Sequence, residues 1–287
     1  ALPPTLSQST SIVGATTAWA SGYTGAGWTV AILDTGSEYR HPFLLGHAVT
    51  EACYSSNTST STSLCPGGVS SSTGPGSGLP CSASISGCDH GTHVAGIAVG
   101  SNASFSGVAR GAKFIAIQVF SRFGSTSDCG SRPAPCALTW SSDWVAGLLQ
   151  VYALRTSYNI AAANMSLSGG AYSGTCDSVY SAATSAVNTL RSAGIATVIS
   201  SGNDGYVGYM GFPACISTAI SVGSTNKNDT ISYFSNSAPL LNLLAPGRDI
   251  NSSIPSGGGY AAFSGTSMAA PHVTGAWALM KQKSPGA

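Results

Sequence analysis

This sequence predicts an α/β fold, a mostly parallel sheet flanked by helices, on two observations. Short apolar runs alternate with longer amphipathic segments along the chain. Several of the short runs are apolar at successive positions, as strands buried on both faces of a parallel sheet must be. The runs that qualify as strands are 28–33, 113–120, 160–165, 195–200, 219–222 and 242–244. The segments that qualify as helices are 92–99, 143–156, 177–192 and 267–280. Asp143 and Asp177 open two of these, where a carboxylate can accept unpaired backbone N–H groups. Capping, not catalysis, is the role expected of both.

With 287 residues the chain can bury one large core, and a single domain over 1–287 is expected. Between 51 and 89 lies a Ser/Thr/Gly/Pro-rich stretch with four cysteines and almost no apolar periodicity. It reads as a disulfide-pinned surface insertion. A second loop poor in apolar residues, 124–135, precedes the helix at 143.

Charged residues make up only 7% of the chain, the net charge is +1, and no Lys/Arg block is present to neutralise a phosphate backbone. Nucleic acid is therefore not an expected partner. The longest apolar stretches, 114–120 and 276–280, fall far short of the roughly 20 residues a bilayer-spanning helix needs, so no membrane partner is expected either. Residues 1–5 carry neither a basic nor an apolar signal region, so any signal peptide is expected to have been removed. Eight cysteines, Cys53, Cys65, Cys81, Cys88, Cys129, Cys136, Cys176 and Cys215, lie in polar loops. An even count in such loops favours disulfides and a secreted, extracellular protein. A zinc site is the competing reading, and the absence of any C-x2-C pair counts against it. Short loop closures make Cys81–Cys88 and Cys129–Cys136 the easiest bridges to draw; Cys53–Cys65 and Cys176–Cys215 follow by elimination.

In open parallel sheets ligands bind beyond the carboxyl ends of the strands. Asp34 follows WTVAIL, Asn164 and Ser166 close AAANMS, and Asn203 follows ATVISSG. Convergence of these polar groups on one sheet edge is what a catalytic cleft requires. A serine hydroxyl becomes nucleophilic when an imidazole takes its proton and a buried carboxylate orients that imidazole. Ser267 lies in Gly265-Thr266-Ser267-Met268-Ala269 at a helix start, where hydroxyl and backbone N–H face the helix's positive end. An ordinary N-cap serine looks the same locally. No Asp or Glu follows Ser267, and the G-x-S-x-G elbow is missed by one residue, so any carboxylate and imidazole partners come from upstream. Five histidines are available, with His41 and His47 in a loop-like stretch and His90, His93 and His272 beside turns of small residues. His93, three residues beyond His90 on the same helix, is the residue most easily confused with the base; core packing is the plainer role for it. A metal reading of Asp89, His90 and His93 lacks the H-E-x-x-H pattern.

At these residues the sequence resembles the subtilases. Asp34 in AILDTG, His90 in DHGTHVAG, Asn203 in SSGN and Ser267 in SGTSMAAPHV are similar to the family's four signature segments, and the likeness runs from about 19 to 280. The resemblance implies a subtilisin-like three-layer sandwich and a secreted serine endopeptidase acting through an acyl-enzyme. It makes Asp34 the orienting carboxylate, His90 the base, Ser267 the nucleophile, and Asn203 with the Ser267 N–H the oxyanion hole. It also implies that a peptide substrate adds as a strand between 166–169 and the segment Leu138, Thr139, Trp140, Ser141. Asn164 is then structural. The pocket for the residue on the acyl side of the cleaved bond (P1) would be framed by Ser166, Leu167, Ser168, Ser200, Ser201, Gly202 and Gly211. None of these is charged, so broad specificity with apolar or aromatic P1 is expected; Asp204 would sit on the rim.

By the same resemblance the partners are polypeptide substrates and a removed propeptide, the protein is a monomer, and no cofactor is required for the chemistry. Many subtilases hold calcium in an Asn-rich loop after the histidine helix; here that loop, 100–107, is short and offers only Asn102, which does not support the site. The chain also ends soon after the serine helix, where relatives add a strand and a helix. N-x-S/T triplets occur, among them at Asn57 and Asn251, and their use depends on the host. The alternative from another class is a catalytically silent relative that binds peptides.

Overall fold

Thr29–Asp34 (β1) is buried at every position, and it is the strand from which the rest of the sheet is placed. In the computed structural model, which describes residues 6–255 and 257–286, β1 lies between two parallel neighbours. Its sheet also contains Ala48–Tyr54 (β2), Ser71–Ser72 (β3), Lys113–Gln118 (β4), Ile160–Met165 (β5), Ala196–Ser200 (β6), Ile220–Thr225 (β7) and Leu243–Pro246 (β8). The order is β8-β7-β6-β5-β1-β4-β2-β3. All neighbours are parallel except the short edge strand β3, which runs antiparallel to β2. The sequence order turns back at β1, and a crevice opens there beyond the strand ends. Asp34, the last residue of β1, stands at that point.

Alternation along the strands divides the core into two layers. Val30 and Ile32 of β1, with Phe114 and Ala116 of β4, face helices His90–Val99 (α1) and Thr266–Lys283 (α4). Ala31 and Leu33, with Ile115 and Ile117, face helices Ser141–Leu154 (α2) and Ser181–Ser192 (α3). Helices on both faces give the three-layer α/β architecture that the sequence predicts. Complete burial of each of these Leu, Ile or Phe side chains contributes about 1.5–3 kcal/mol.

Residues 1–5, on which the signal-peptide expectation rests, lie outside the described residues. The segment 51–89 is not an insertion throughout: its first residues belong to β2, a strand of the main sheet paired parallel to β4. The strand was hidden because Glu51 interrupts the apolar pattern; its carboxylate accepts the N–H groups of Gly76 and Gly78, at 2.8 Å each, and so pins the loop that follows. Two capping expectations are also corrected. Asp143 lies in the first turn of α2 but accepts from Ser56 N (3.0 Å) and Ser56 Oγ (2.6 Å), tying that helix to the loop after β2. Asp177 precedes α3, which starts at Ser181, and its Oδ1 accepts from the N–H and hydroxyl of Ser217. Tertiary partners outcompeted the helix ends for both carboxylates. The cysteines pair as 53–65, 81–88, 129–136 and 176–215.

Candidate active site

Asp34 is fully buried, and its Oδ1 accepts from the Thr35 N–H at 2.7 Å and from His90 Nδ1 at 2.8 Å. A carboxylate only accepts, so the shared proton is on Nδ1 and the other ring nitrogen, Nε2, carries a lone pair. Close approach of α1 to the end of β1 makes this contact possible, and Gly91 permits it. A Cβ at Gly91 would lie 2.2 Å from the Gly36 carbonyl oxygen and 3.0 Å from Asp34 Cβ. The His90 side chain is 26% exposed, open to the cleft on one side. Burial pulls its pKa down, but the charge of Asp34 and the hydrogen bond to it outweigh burial, and the net shift is upward.

Ser267 is the second residue of α4, so its N–H has no intrahelical acceptor. Gly265 precedes the helix in extended backbone, and Pro271 sits inside it. Proline has no N–H, so the carbonyl of Ser267 loses its partner one turn on. The hydroxyl of Ser166 fills the gap, donating to Ser267 O at 2.8 Å. In return Ser267 Oγ donates to the Ser166 carbonyl at 3.2 Å. Among the described residues no hydrogen bond joins Ser267 Oγ to His90, although both line one cleft of about 760 Å³.

Asn203 Oδ1 accepts from Thr266 N at 2.8 Å and Thr266 Oγ1 at 2.9 Å. Because Thr266 N–H can only donate, the amide orientation is fixed and Nδ2 is left for the cleft, which Asn203 lines beside Ser267. Buried Asn236 holds the same loop, accepting from Asp204 N (2.9 Å) and Tyr206 N (3.0 Å) through Oδ1. Its Nδ2 donates to the Asp204 carboxylate at 3.1 Å, so Asp204 is engaged by Asn236.

Of the remaining residues picked out in the sequence, Leu138, Thr139, Ser141, Ser166, Leu167 and Ser168 line the cleft. Trp140 does not: its indole N–H donates to Ser61 Oγ at 3.0 Å and its ring meets Phe123. Ser200, Ser201, Gly202 and Gly211 lie behind the cleft surface; Ser201 Oγ donates to Asn236 O, and Gly211 N to Ser201 O. Asn164 is structural, donating to Ser166 Oγ (2.9 Å) and accepting from Thr274 Oγ1 (2.9 Å). Trp144, Tyr172, Phe212 and Arg132 also line the cleft, and sequence reasoning missed them. An aromatic in a helix or strand looks like core and a lone arginine in a loop looks solvated, so no local signal set them apart.

His93 is buried away from Asp34. Its Nε2 meets the carbonyls of Ile250 and Ala261, at 3.0 Å each, and its ring stacks on Phe263. Burial lowers its pKa to about 3, so it remains neutral. His272 is buried too, with Nδ1 on Met268 O (2.8 Å) and Nε2 against Ser9 Oγ (2.7 Å), which ties α4 to the helix Leu6–Ile12. In the loop 100–107, Asn102 Oδ1 is spent on the N–H groups of Ser104 and Phe105 and Nδ2 on Tyr260, so its amide is not presented to a cation. Among the described residues no group of three or more His, Cys, Asp or Glu is placed to hold a metal.

Comparison with known proteins identifies the family. The profile of the Subtilase family matches residues 25–287. Alkaline elastase YaB from Bacillus sp. (strain YaB) is 34% identical over 267 residues, which span 92% of this chain and 57% of that protein. Subtilisin Savinase from Lederbergia lenta is 34% identical over 266 residues, 92% of this chain and 80% of that one. The chain thus spans little more than half the length of the first relative and four fifths of the second. The crystal structure of a cold adapted subtilisin-like serine proteinase superposes with a TM-score of 0.64 at 29% identity, covering 92% of this chain and 78% of the other. Matched along nearly its whole length, with the fold to go with it, the chain belongs to the subtilase family.

Proposed function

We propose that this chain is a secreted serine endopeptidase that hydrolyses peptide bonds through an acyl-enzyme, with Ser267 as nucleophile, His90 as base and Asp34 orienting the base. The observation that carries this reading is the 2.8 Å contact of His90 Nδ1 with Asp34, which leaves Nε2 basic in the cleft that Ser267 and Asn203 line. On substrate binding the Ser267 hydroxyl turns about its Cα–Cβ bond from the Ser166 carbonyl to His90 Nε2. Oγ attacks the scissile carbonyl as Nε2 takes its proton. The oxyanion is received by Asn203 Nδ2 and the Ser267 N–H. His90 then protonates the leaving amine, and water, deprotonated by the same nitrogen, hydrolyses the ester. The side chains of this site supply the nucleophile, the base and the oxyanion donors, so no cofactor is called for in this scheme.

Polypeptides are the substrates, lying as a strand along Ser166–Ser168 with Leu138, Thr139 and Ser141 opposite. The residues expected to frame the P1 pocket, Ser166, Leu167, Ser168, Ser200, Ser201, Gly202 and Gly211, are uncharged, which supports an apolar P1 residue, although Asp89 and Arg132 also line the cleft. Four disulfides support extracellular use, and removal of a propeptide and a monomeric state go with the same reading. A fluorophosphonate probe tests it: one equivalent should attach at Ser267 and abolish hydrolysis of a chromogenic peptide. If wild type and Ser267→Ala hydrolyse that peptide equally poorly, the chain is a silent peptide-binding relative instead.

A further inference from the structure

Two stretches of the cleft wall differ in what they offer a peptide. In one, the rings of Trp144 and Phe212 stand 5.7 Å apart, with Tyr172 6.4 Å from Phe212, and all three line the cleft. In the other, the backbone just before Asn203 and just before Phe212 is covered. Gly202 and Gly211 are buried there, and exposed Ser168 lies over both. A carbon at the Cβ position of Gly211 would be 2.9 Å from Ser168 Cβ and 3.2 Å from its Oγ, and one at Gly202 would be 3.3 Å from the same Oγ. With a Cα–Cβ bond of ordinary length, the Ser168 side chain is within about 5 Å of both glycine backbones. A group seated between two walls needs about 7–8 Å between wall atoms, two contacts of 3.5–4.0 Å. Nothing fits between Ser168 and Gly211, so its hydroxymethyl group plugs that gap; at Gly202 the Asn236 amide, 2.2 Å from a Cβ position there, already fills the space.

The plug stands where a P1 side chain would go. A scissile carbonyl attacked by Ser267 turns its oxygen to Asn203, which places the P1 Cα beside Ser166 and Gly202. Ser168 is two residues further along the chain from Ser166, at most about 7 Å away. A side chain that ends at Cβ or Cγ stops before it, whereas a ring carried on Cβ runs into it.

We infer that Ser168 sets the size of the P1 residue, restricting this site to small uncharged side chains such as Ala, Ser or Val. This narrows the aromatic or apolar preference expected from sequence, and it rests on the endopeptidase reading of Ser267.

The test uses peptide p-nitroanilides that differ only at P1, with Ala, Leu or Phe, on wild type, Ser168→Gly and Ser168→Thr. Wild type should prefer Ala to Phe by about tenfold or more in kcat/KM, since small volume changes in a pocket discriminate by about 10–200-fold. Ser168→Gly should raise the Phe-to-Ala ratio of kcat/KM by about tenfold or more. Ser168→Thr should move the ratio the other way, which keeps the test valid if the glycine variant folds poorly. Equal hydrolysis of Ala and Phe by wild type, or an unmoved ratio in both variants, overturns the inference while the peptidase reading stands. No hydrolysis of any peptide, with Ser267 unmodified by the phosphonate, removes the peptidase reading and this inference together.

Discussion

Ser166 and Ser267 exchange hydrogen bonds: the Ser166 hydroxyl donates to the Ser267 carbonyl at 2.8 Å, and the Ser267 hydroxyl donates to the Ser166 carbonyl at 3.2 Å. The first bond occupies a carbonyl that Pro271 leaves without its helical donor, and it continues inward through Asn164 to Thr274. All four residues of that chain are buried. Ser166→Ala strands the Ser267 carbonyl and one donor of Asn164, a cost of about 1–3 kcal/mol. Thermal melting of Ser267→Ala against the double variant Ser166→Ala/Ser267→Ala reads this without self-digestion. A double variant that melts at the same temperature would show that the chain carries no stability.

Removal of the Asn203 amide should fall on turnover rather than on binding. Its Oδ1 is engaged by Thr266 and Nδ2 is left for the cleft, so on the proposed mechanism Nδ2 would bond the substrate oxygen most strongly as charge develops on it. Asn203→Leu should lower kcat by about 10²–10³-fold with KM little changed. A KM rise that accounts for the whole loss would mean that Asn203 binds the ground state.

The pH profile should report the environment of His90. Only the neutral ring accepts the serine proton, so activity is present above its pKa and lost as pH falls through it. Asp34 outweighs burial and holds that pKa above the ordinary 6.5, which puts the acid limb of kcat/KM above 6.5. Arg132 lowers it and Asp89 raises it, so Arg132→Gln should move the limb to higher pH and Asp89→Asn to lower pH. A limb that neither variant moves would mean that another group controls it.

The parts of this site that follow a strand were legible in the sequence. Asp34 and Asn203 each follow an apolar run, and a parallel sheet delivers such residues to one edge, where Asp34 contacts His90 and Asn203 lines the cleft with Ser267; His90 and Ser267 themselves were singled out by the family resemblance. Long-range preferences were not legible. Asp143 and Asp177 look like helix caps and are taken by Ser56 and Ser217, partners 87 and 40 residues away. Strand β2 escaped notice because Glu51 faces a loop whose N–H groups need it, and a period-2 count cannot see that demand. Trp144 and Phe212 carry no mark of facing a cleft rather than a core.

Acidification should weaken the fold through two histidines outside the chemistry. Burial lowers the pKa of His93 to about 3 and that of His272 to about 4. Below pH 6.5 the unfolded chain takes up protons that the folded chain refuses, so stability present above 6.5 is lost as pH falls toward 4 and then 3. For His272 the loss is on the order of 3 kcal/mol. Melting of Ser267→Ala at pH 7.5 and 4.5 should show the drop, and adding His272→Gln should lower stability at pH 7.5 while flattening the dependence. An unchanged slope in that variant would place the acid sensitivity elsewhere.

The disulfides should rank by the length of chain they close. Cys176–Cys215 spans 39 residues and holds the turn before α3 to the segment just after Phe212, whereas Cys81–Cys88 spans 7. Loop-closure entropy grows as about 1.5RT ln n, so the longer bridge should contribute about 1.5 kcal/mol more to stability, within a total of about 2–5 kcal/mol. Paired Cys→Ala replacements on the Ser267→Ala background, compared by denaturant unfolding, measure the difference directly. Because Phe212 lines the cleft, loss of the longer bridge in the active enzyme should also raise KM. If the 81–88 pair costs as much as the 176–215 pair, chain entropy does not set the ranking, and strain or residual structure in the unfolded state does.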